Sequence, residues 1–156
     1  MFRKAAELNW GPAQVNLGDC YRYDKGVGDM NKQTRYRTAA EWYQKADANG
    51  NKNADTHLKA MRSDFRDLGK AYYNGKGVEQ NYALAVYWYR EAAELDDREA
   101  QDELGKCYYD GKGVEKNSDQ AKYWWLRSAK NGGRWAALKL EEIYGENWRK
   151  KLEHIK

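Results

Sequence analysis

The sequence predicts an all-α fold in which pairs of helices repeat and stack into a solenoid. The stretch "YYNGKGVEQN" at residues 72–81 returns as "YYDGKGVEKN" at 108–117, so the second copy starts 36 residues after the first. A fixed period in this range is typical of helix-pair solenoids. The chain has one proline and 14 glycines, which favours helices joined by glycine turns over a β fold with many turns.

The composition fits a domain whose core is built largely from aromatic residues. The chain has 156 residues, including seven Trp and 13 Tyr, while the larger aliphatic residues are scarce. Buried aromatics therefore supply much of the core surface. The 28 basic and 24 acidic residues are mixed along the chain, which predicts solvated helix faces and argues against an extended nucleic-acid footprint. No stretch has the length and apolar content of a membrane span, so we expect none.

Three copies of the repeat can be aligned. Segments 68–95 and 104–131 are identical at 15 of 28 positions, and an earlier copy begins with "LGDCYRYDKGV" at residue 17. The predicted organisation is a half repeat at 1–11, repeats at 12–50, 64–97 and 98–133, an insertion at 51–63, and a half repeat with a capping helix at 134–156.

The insertion and the chain ends depart from the regular period. The segment "NGNKNADTHLKAMRS" predicts either a loop or an added helical turn, and Asp64, in place of the usual Ala, predicts a later helix start. Met1 occupies the repeat position of Trp88, so we expect the chain to begin halfway through a helix pair. Solenoid ends that are left open in this way predict possible self-association.

The first helix of each pair carries a glycine after its core leucine. Gly18, Gly69 and Gly105 share this position, although glycine within a helix costs about 1 kcal/mol relative to alanine. We therefore expect a neighbouring helix or aromatic ring to lie too close for a Cβ atom.

Further residues predict where helices end and begin. Gly75 and Gly111 are expected as left-handed C-caps, and Asn81 and Asn117 as N-caps of the second helices. The "GKG" loops lack the spacing of a phosphate-binding loop and are interpreted as turns.

The second helix has an apolar face of alternating size. Ala85, Trp88 and Ala92 lie on one side at helical spacing, so Trp88 and its equivalent Trp124 are predicted core residues. Tyr89 and Trp125, one position further, are expected to be partly exposed on the outer face.

The repeated pattern A-x3-L-G-x2-Y-x2-G-x-G-V followed by A-x2-W-x3-A-A resembles the SLR family (Sel-one-like repeats), relatives of the tetratricopeptide repeats. The resemblance implies a right-handed α/α superhelix that works as an adaptor or scaffold and holds a protein or peptide on its concave face. It implies neither catalytic residues nor a cofactor. Some secreted members pin helix pairs with cysteines; this chain lacks that pattern and an apolar leader, which favours a cytoplasmic location for the chain as written.

The predicted protein-binding face consists of the first-helix residues that point away from the core positions Leu68, Gly69 and Tyr72. These residues are Val15, Asp19, Arg22, Tyr23, Arg66, Lys70, Tyr73, Asn74, Asp102, Lys106, Tyr109, Asp110, Leu138 and Glu142. Tyrosines framed by charged residues are typical of protein interaction hot spots. The alternative is that Tyr73 and Tyr109 are repeat residues that pack against the next helix.

The tail "ENWRKKLEHIK" places Trp148, Leu152 and Ile155 on one helical face. It predicts a helix that caps the solenoid, with a membrane-surface helix as the sharper alternative. Nucleic-acid or anionic-surface binding through this basic helix and exposed aromatics is the alternative function, although nucleic acid is not the expected partner.

Catalytic and metal sites are not expected. His57 and His154 fit no zinc motif and are interpreted as exposed residues of a loop and a tail. Cys20 and Cys107 lie two repeats apart, too far for a disulfide, and are interpreted as small buried thiols. An enzyme would need a site in the 51–63 insertion, with His57 as its essential residue.

Overall fold

The structure is a computed structural model that describes residues 2–154, with the backbone alone for residue 2. Within this range the secondary structure is helical and contains no strand. The helices are α1 (Phe2–Glu7), α2 (Gly11–Arg22), α3 (Lys32–Ala48), α4 (Lys52–Asn74), α5 (Tyr82–Glu94), α6 (Arg98–Asp110), α7 (Ser118–Lys130), α8 (Arg134–Tyr144) and a 3-10 helix (Glu146–His154). The expectations for Met1 and Ile155 fall outside the described residues. Of the helices in residues 2–154, none is both long and apolar enough to cross a membrane.

The chain divides into two compact units, Met1–Asp64 and Phe65–Lys156, and α4 contributes residues to both. In the first unit, α2 packs against α1 and α3. In the second unit, α6 packs against α5 and α7, α8 packs against α7, and the 3-10 helix packs against α7 and α8. Helices that follow one another in sequence are therefore neighbours within each unit, as expected for stacked helix pairs.

Small and large residues alternate in the core. Ala85 and Ala92 are fully buried on either side of Trp88, and Trp124 is buried in the same way one repeat later. The predicted core positions of both tryptophans are confirmed.

The predicted helix caps are also confirmed. Gly75 and Gly111 adopt left-handed backbone conformations at the ends of α4 and α6. The side chain of Asn81 accepts a hydrogen bond from the Leu84 N–H at the start of α5, and Asn117 caps α7 in the same way. The "GKG" loops are thus helix-ending turns, as predicted.

The glycines inside the first helices contact aromatic rings, as predicted, but the rings are not those expected to be buried. A Cβ atom on Gly105 would lie 2.2 Å from Nε1 of Trp125, and one on Gly69 would lie 2.5 Å from the Tyr89 ring. Tyr89 and Trp125 are each only 1% exposed, so the prediction that they are partly exposed is wrong. Each ring packs directly against the backbone of the first helix where the glycine stands. Gly18 receives the ring of Tyr43 in the first unit.

The 51–63 segment is helical from Lys52 onward and forms the first half of α4, so neither a loop nor a single added turn describes it. Buried residues recur along it at helical spacing, at Ala54, Leu58 and Met61. The expectation of a later helix start at Asp64 is therefore wrong, because these apolar residues extend the buried stripe of α4 toward its N-terminus.

Two buried glutamines, which had no sequence prediction, connect successive helices. In the second unit, Gln101 Nε2 donates to the carbonyl of Ala93 at 3.0 Å, and Gln101 Oε1 accepts from Asn131 Nδ2 at 3.3 Å. In the first unit, Gln14 makes the equivalent bonds to the carbonyl of Ala6 and to Asn49. Both glutamines are at most 1% exposed.

Candidate functional site

The last copy of the predicted face lines a pocket in the second unit. Lys106, Tyr109 and Asp110 of α6 meet Trp125 of α7 and two residues of α8, Trp135 and Lys139, around a volume of about 240 Å³. We call this the α6–α8 pocket. Three residues of the predicted face therefore line one concave surface.

Aromatic rings form most of the apolar surface of the α6–α8 pocket. The ring centroids of Tyr109 and Trp125 are 5.5 Å apart, and those of Trp125 and Trp135 are 5.8 Å apart in an edge-to-face arrangement. Trp125 can lie this deep because Gly105 leaves room for it, and its indole N–H donates to the carbonyl of Asp102 at 3.3 Å. The repeat glycine therefore determines the depth of the pocket.

Two lysines border the pocket, and each is paired with a glutamate. Lys106 Nζ lies 4.3 Å from the centroid of the Trp135 ring and 2.8 Å from Glu103 Oε1. Lys139 Nζ lies 2.7 Å from Glu142 Oε2, and this hydrogen bond raises the pKa of Lys139. A partner's carboxylate would compete with a glutamate for each of these lysines.

The remaining predicted residues of this copy lie around the pocket. Asp102 is half-buried, and burial raises the pKa of its carboxyl group. Leu138 and Glu142 are exposed on α8, but they are not part of the pocket lining. Trp135 and Lys139 take that role instead.

Trp135 and Lys139 were missed by sequence reasoning, although the repeat held a signal for them. In the preceding copy, Lys70 Nζ pairs with Glu99 Oε2 at 2.9 Å. Lys106 is the repeat equivalent of Lys70, and Trp135 is the equivalent of Glu99. The row of α8 that faces α6 therefore contains Trp135 and Lys139, whereas the predicted row contains Leu138 and Glu142.

In the middle copy, the tyrosine of the predicted face is engaged within the chain. The Tyr73 ring lies 5.0 Å from the Tyr82 ring and 6.4 Å from the Tyr89 ring. Lys112 Nζ lies 5.5 Å from the Tyr73 ring and 3.3 Å from its hydroxyl oxygen. This geometry favours the alternative in which Tyr73 packs against its neighbours.

The charged residues of the middle copy are also paired within the second unit. Arg66 binds the buried carboxylate of Asp97 at 3.0 Å, and Lys70 pairs with Glu99. Asn74 is exposed at the end of α4. Of this copy, Asn74 is therefore the predicted residue that stays most accessible.

The first copy contains one residue that cannot belong to an exposed face. Val15 is 7% exposed and lies in the core of the first unit, because its position on α2 faces inward. Arg22 pairs with Asp64 at 3.0 Å and also donates to the carbonyl of Ala60. Tyr23 is well exposed, with Arg22 beside its ring.

His57 does not lie in a loop, contrary to the sequence interpretation. It lies in α4, where its Nδ1 atom is 3.1 Å from Asp19 Oδ1 and its ring is 5.1 Å from the Tyr43 ring. The Tyr43 hydroxyl donates to the same Asp19 oxygen at 2.7 Å, and burial raises the pKa of Tyr43 far above its usual range. Asp19 is thus bonded to two side chains. His154 is exposed in the 3-10 helix.

No group of acidic, histidine and cysteine residues within 2–154 has the arrangement of a metal site. Both cysteines are free thiols; Cys107 is buried as predicted, and Cys20 is partly buried.

The tail packs against the body of the second unit. Trp148 is buried, and Arg149 pairs with Glu141 of α8 at 3.1 Å. The tail is a 3-10 helix, whereas the sequence pattern was that of an α-helix. A buried indole offers no stacking surface to a base or a membrane, so these contacts lend no support to the alternative function.

Comparison with known proteins gives a consistent result. A family model described as the Sel1 repeat matches residues 11–51, 66–97 and 98–133. The chain is similar to a Sel1 repeat protein from Oxalobacter formigenes, with 32% identity and a TM-score of 0.52 over 99% of this chain and 60% of that chain. It is also similar to c5321, a protective antigen present in uropathogenic Escherichia coli strains that displays an SLR fold, with 29% identity and a TM-score of 0.55.

The second match covers 98% of this chain and 32% of the antigen. The chain thus spans less than two thirds of the length of either protein. Because both similar structures are helical repeat proteins, the predicted fold class, an all-α repeat solenoid, is confirmed.

Proposed function

The chain belongs to the Sel1 repeat family, and from this membership we propose that it is a non-catalytic scaffold that binds a protein or peptide through the exposed side of its first helices. Sel1 repeats are in general a non-catalytic scaffold used in protein–protein interaction. Fold alone names no site, so the proposal depends on the side chains described above.

The observation that carries the proposal is the α6–α8 pocket. Its volume of about 240 Å³ suits a single large side chain, and three aromatic rings line it. Tyr and Trp dominate protein interaction hot spots because they bury a large surface at a small cost in conformational entropy. The partner is expected to insert an apolar or aromatic side chain between Tyr109 and Trp135, next to the two lysines.

The test compares two tyrosines of similar exposure on neighbouring helices. Tyr109 is 38% exposed and lines the pocket, whereas Tyr123 is 44% exposed and lies on α7 outside the pocket lining. Affinity capture from a lysate of the native cell, followed by titration of the recovered partner, measures binding to each variant. We expect Tyr109→Ala to weaken binding about tenfold or more and Tyr123→Ala to change it by less than about twofold.

Two results would count against the proposal. Equal binding by both variants would place the site elsewhere on the chain. Recovery of nucleic acid alone, with an affinity that falls by about tenfold or more between 50 and 200 mM salt, would favour the alternative function instead.

A further inference from the structure

An open cleft in the first unit is lined by an unusual set of side chains. Its volume is about 600 Å³, and its walls come from the turn between α1 and α2 and from the turn between α3 and α4. The lining residues are Asn9, Trp10, Gly11, Pro12, Val15, Asn16, Asn49, Gly50, Asn51, Lys52 and Asn53. We call this the asparagine cleft.

The asparagine cleft is almost free of charge. One third of the chain's residues are charged, yet Lys52 is the one charged residue among the eleven that line the cleft. Five of the eleven carry a side-chain amide. An amide both donates and accepts hydrogen bonds, so this surface matches an uncharged ligand that does the same.

Some of these amides hold the cleft together, and others have no partner. Asn49 donates to Gln14, and Asn51 accepts from the backbone N–H of Asn53. The side chains of Asn9, Asn16 and Asn53 make no hydrogen bond with any residue in the described range 2–154. The walls are therefore fixed while three amide groups remain available to a ligand.

Trp10 presents a bare indole at the edge of the cleft. It is 56% exposed, the highest value among the tryptophans of residues 2–154. Each of the other six has another ring or a cation within 5.8 Å of its own ring. Within the described part of the chain, Trp10 has neither, and more than half of the residue remains exposed to solvent.

The exposed tryptophan also occupies a position where it weakens the helix. Trp10 is the N-cap residue of α2 and makes no side-chain capping bond. At the equivalent position before α6, the Asp97 side chain accepts from the backbone N–H of Ala100. A residue at position 10 with a capping side chain would stabilise α2 more than tryptophan does. Such local losses of stability occur mainly at functional sites.

We propose that the asparagine cleft binds an uncharged oligosaccharide, with one sugar ring stacked on Trp10 and its hydroxyl groups bonded to the neighbouring side-chain amides. A pyranose ring has polarised C–H groups on its faces, which are attracted to the electron-rich face of an indole. Its hydroxyl groups donate and accept, as amides do. Asn16 and Asn53 line the same cleft as Trp10, and their amides can both donate to and accept from these hydroxyl groups.

Charged ligands and peptides suit the cleft less well. A basic peptide would find no carboxylate in the lining, and an acidic one would find Lys52 alone. The main chain of a neutral peptide pairs with amides, but a peptide covers an exposed indole only where it also carries a proline or an aromatic side chain. The saccharide uses both features of the cleft.

The proposal can be tested by nuclear magnetic resonance on the full chain labelled with 15N. The probes are the uncharged sugars maltotetraose, cellotetraose and tetra-N-acetylchitotetraose. We expect at least one of them to shift the indole N–H signal of Trp10 and the side-chain amide signals of Asn16 and Asn53 in a saturable way, with a dissociation constant of about 1 mM or lower. If none of the three probes shifts these signals at about 10 mM, the proposal is wrong.

Variants at residue 10 separate ligand binding from a structural role. Trp10→Ser removes the ring and supplies a good N-cap, so we expect the melting temperature to rise while binding falls about tenfold or more. Trp10→Tyr keeps a ring and should retain binding within about fivefold, and the exposed neighbour Leu8→Ala should bind like the wild type. Unchanged binding by Trp10→Ser, or a tighter response to acetyl-tetraalanine-amide or phosphate than to any sugar, would overturn the proposal.

Discussion

At the scale of single residues, the repeated glycine of the first helix is a contact surface. Gly69 and Gly105 accept the flat sides of Tyr89 and Trp125, which follow the repeat tryptophans Trp88 and Trp124 in sequence. Consecutive residues on a helix point about 100° apart, so two adjacent aromatic residues can both be buried only if the helix has neighbours on two sides. The second helix of each pair is in that situation.

Replacement of Gly105 by alanine tests this contact. The new Cβ atom would lie 2.2 Å from Trp125 Nε1, so the indole must move, and we expect the free energy of unfolding to fall by about 1–3 kcal/mol despite the better helix propensity of alanine. Chemical denaturation monitored by circular dichroism measures the change. A second variant, Gly105→Ala with Trp125→Leu, should lose less than the two single changes added together. An unchanged or raised stability of Gly105→Ala would refute the close contact.

At the scale of helices, buried glutamines connect the end of one repeat to both ends of the next. Gln101 bonds to the carbonyl of Ala93 at the end of α5 and to Asn131 at the end of α7. Gln14 repeats the arrangement in the first unit with Ala6 and Asn49. The amide has one carbonyl oxygen and one NH2 group, and each is bonded, so a buried polar group costs little here.

Gln101→Leu should destabilise the second unit. Leucine is close to glutamine in size, but it leaves the Asn131 amide without its acceptor and removes the donor to Ala93, so we expect a loss of about 1–3 kcal/mol. Urea denaturation measures the loss, and Gln14→Leu should give a loss of similar size. The exposed Gln44→Leu is a matched control, which should change stability by less than about 0.5 kcal/mol. A Gln101→Leu protein as stable as that control would contradict the assigned role.

The N-terminal extension of α4 follows the helical period, but one departure from the repeat pattern obscures it. Ala54, Leu58 and Met61 follow the helical period and are buried, so the extension to Lys52 was legible in the sequence. The single departure at Asp64 obscured it, because the other copies place alanine there. Asp64 instead binds Arg22 at 3.0 Å in the first unit, an interaction between residues 42 positions apart that no local pattern reveals.

At the scale of the whole molecule, the repeat period was enough to predict the helical class, the caps and the core tryptophans. It was not enough to predict the α6–α8 pocket completely. Lys106, Tyr109 and Asp110 were expected on the binding face, but Trp135 and Lys139 depend on which row of α8 faces α6. The exposed Trp10 of the asparagine cleft was missed because the repeat pattern describes only positions that recur, and this tryptophan does not recur in the other copies. A repeat pattern identifies the recurring structural residues, whereas ligand sites often consist of residues that occur in one copy only.

Each of the two units contains one cysteine, and their reactivities should differ. Burial raises the pKa of the Cys107 thiol to about 12 from its usual value of 9.0. At pH 8 about one thiol in ten thousand would be ionised, so we expect iodoacetamide to label Cys20 readily and Cys107 only after denaturation. Mass spectrometry of the two cysteine peptides gives the rates. Equal labelling rates in the native protein would show that the second unit opens freely.

The same shift implies a loss of stability in alkaline solution. Between pH 9 and pH 12 the unfolded chain releases the Cys107 proton while the folded chain retains it, so ionisation favours unfolding as the pH rises. Cys107→Ala should reduce this slope, and the comparison of urea midpoints at pH 8 and pH 10 measures it. Identical slopes for both proteins would indicate that the thiol is accessible in the folded state.

The contact between each glycine and its ring has an evolutionary consequence. Gly105 and Trp125 belong to one repeat, as do Gly18 and Tyr43. Each of these copies therefore encodes both partners of its own glycine–ring contact. Unequal crossing-over that duplicates or deletes one copy preserves these glycine–ring contacts. The gene can therefore change its number of copies without simultaneous compensating mutations at these positions. The glutamine bonds, by contrast, join adjacent copies at two junctions, because Gln14 and Gln101 bond to a carbonyl of the preceding copy. The copies at 64–97 and 134–156 have Phe65 and Ala137 at the same repeat position. A duplicated copy therefore keeps the glutamine bond at some junctions and lacks it at others.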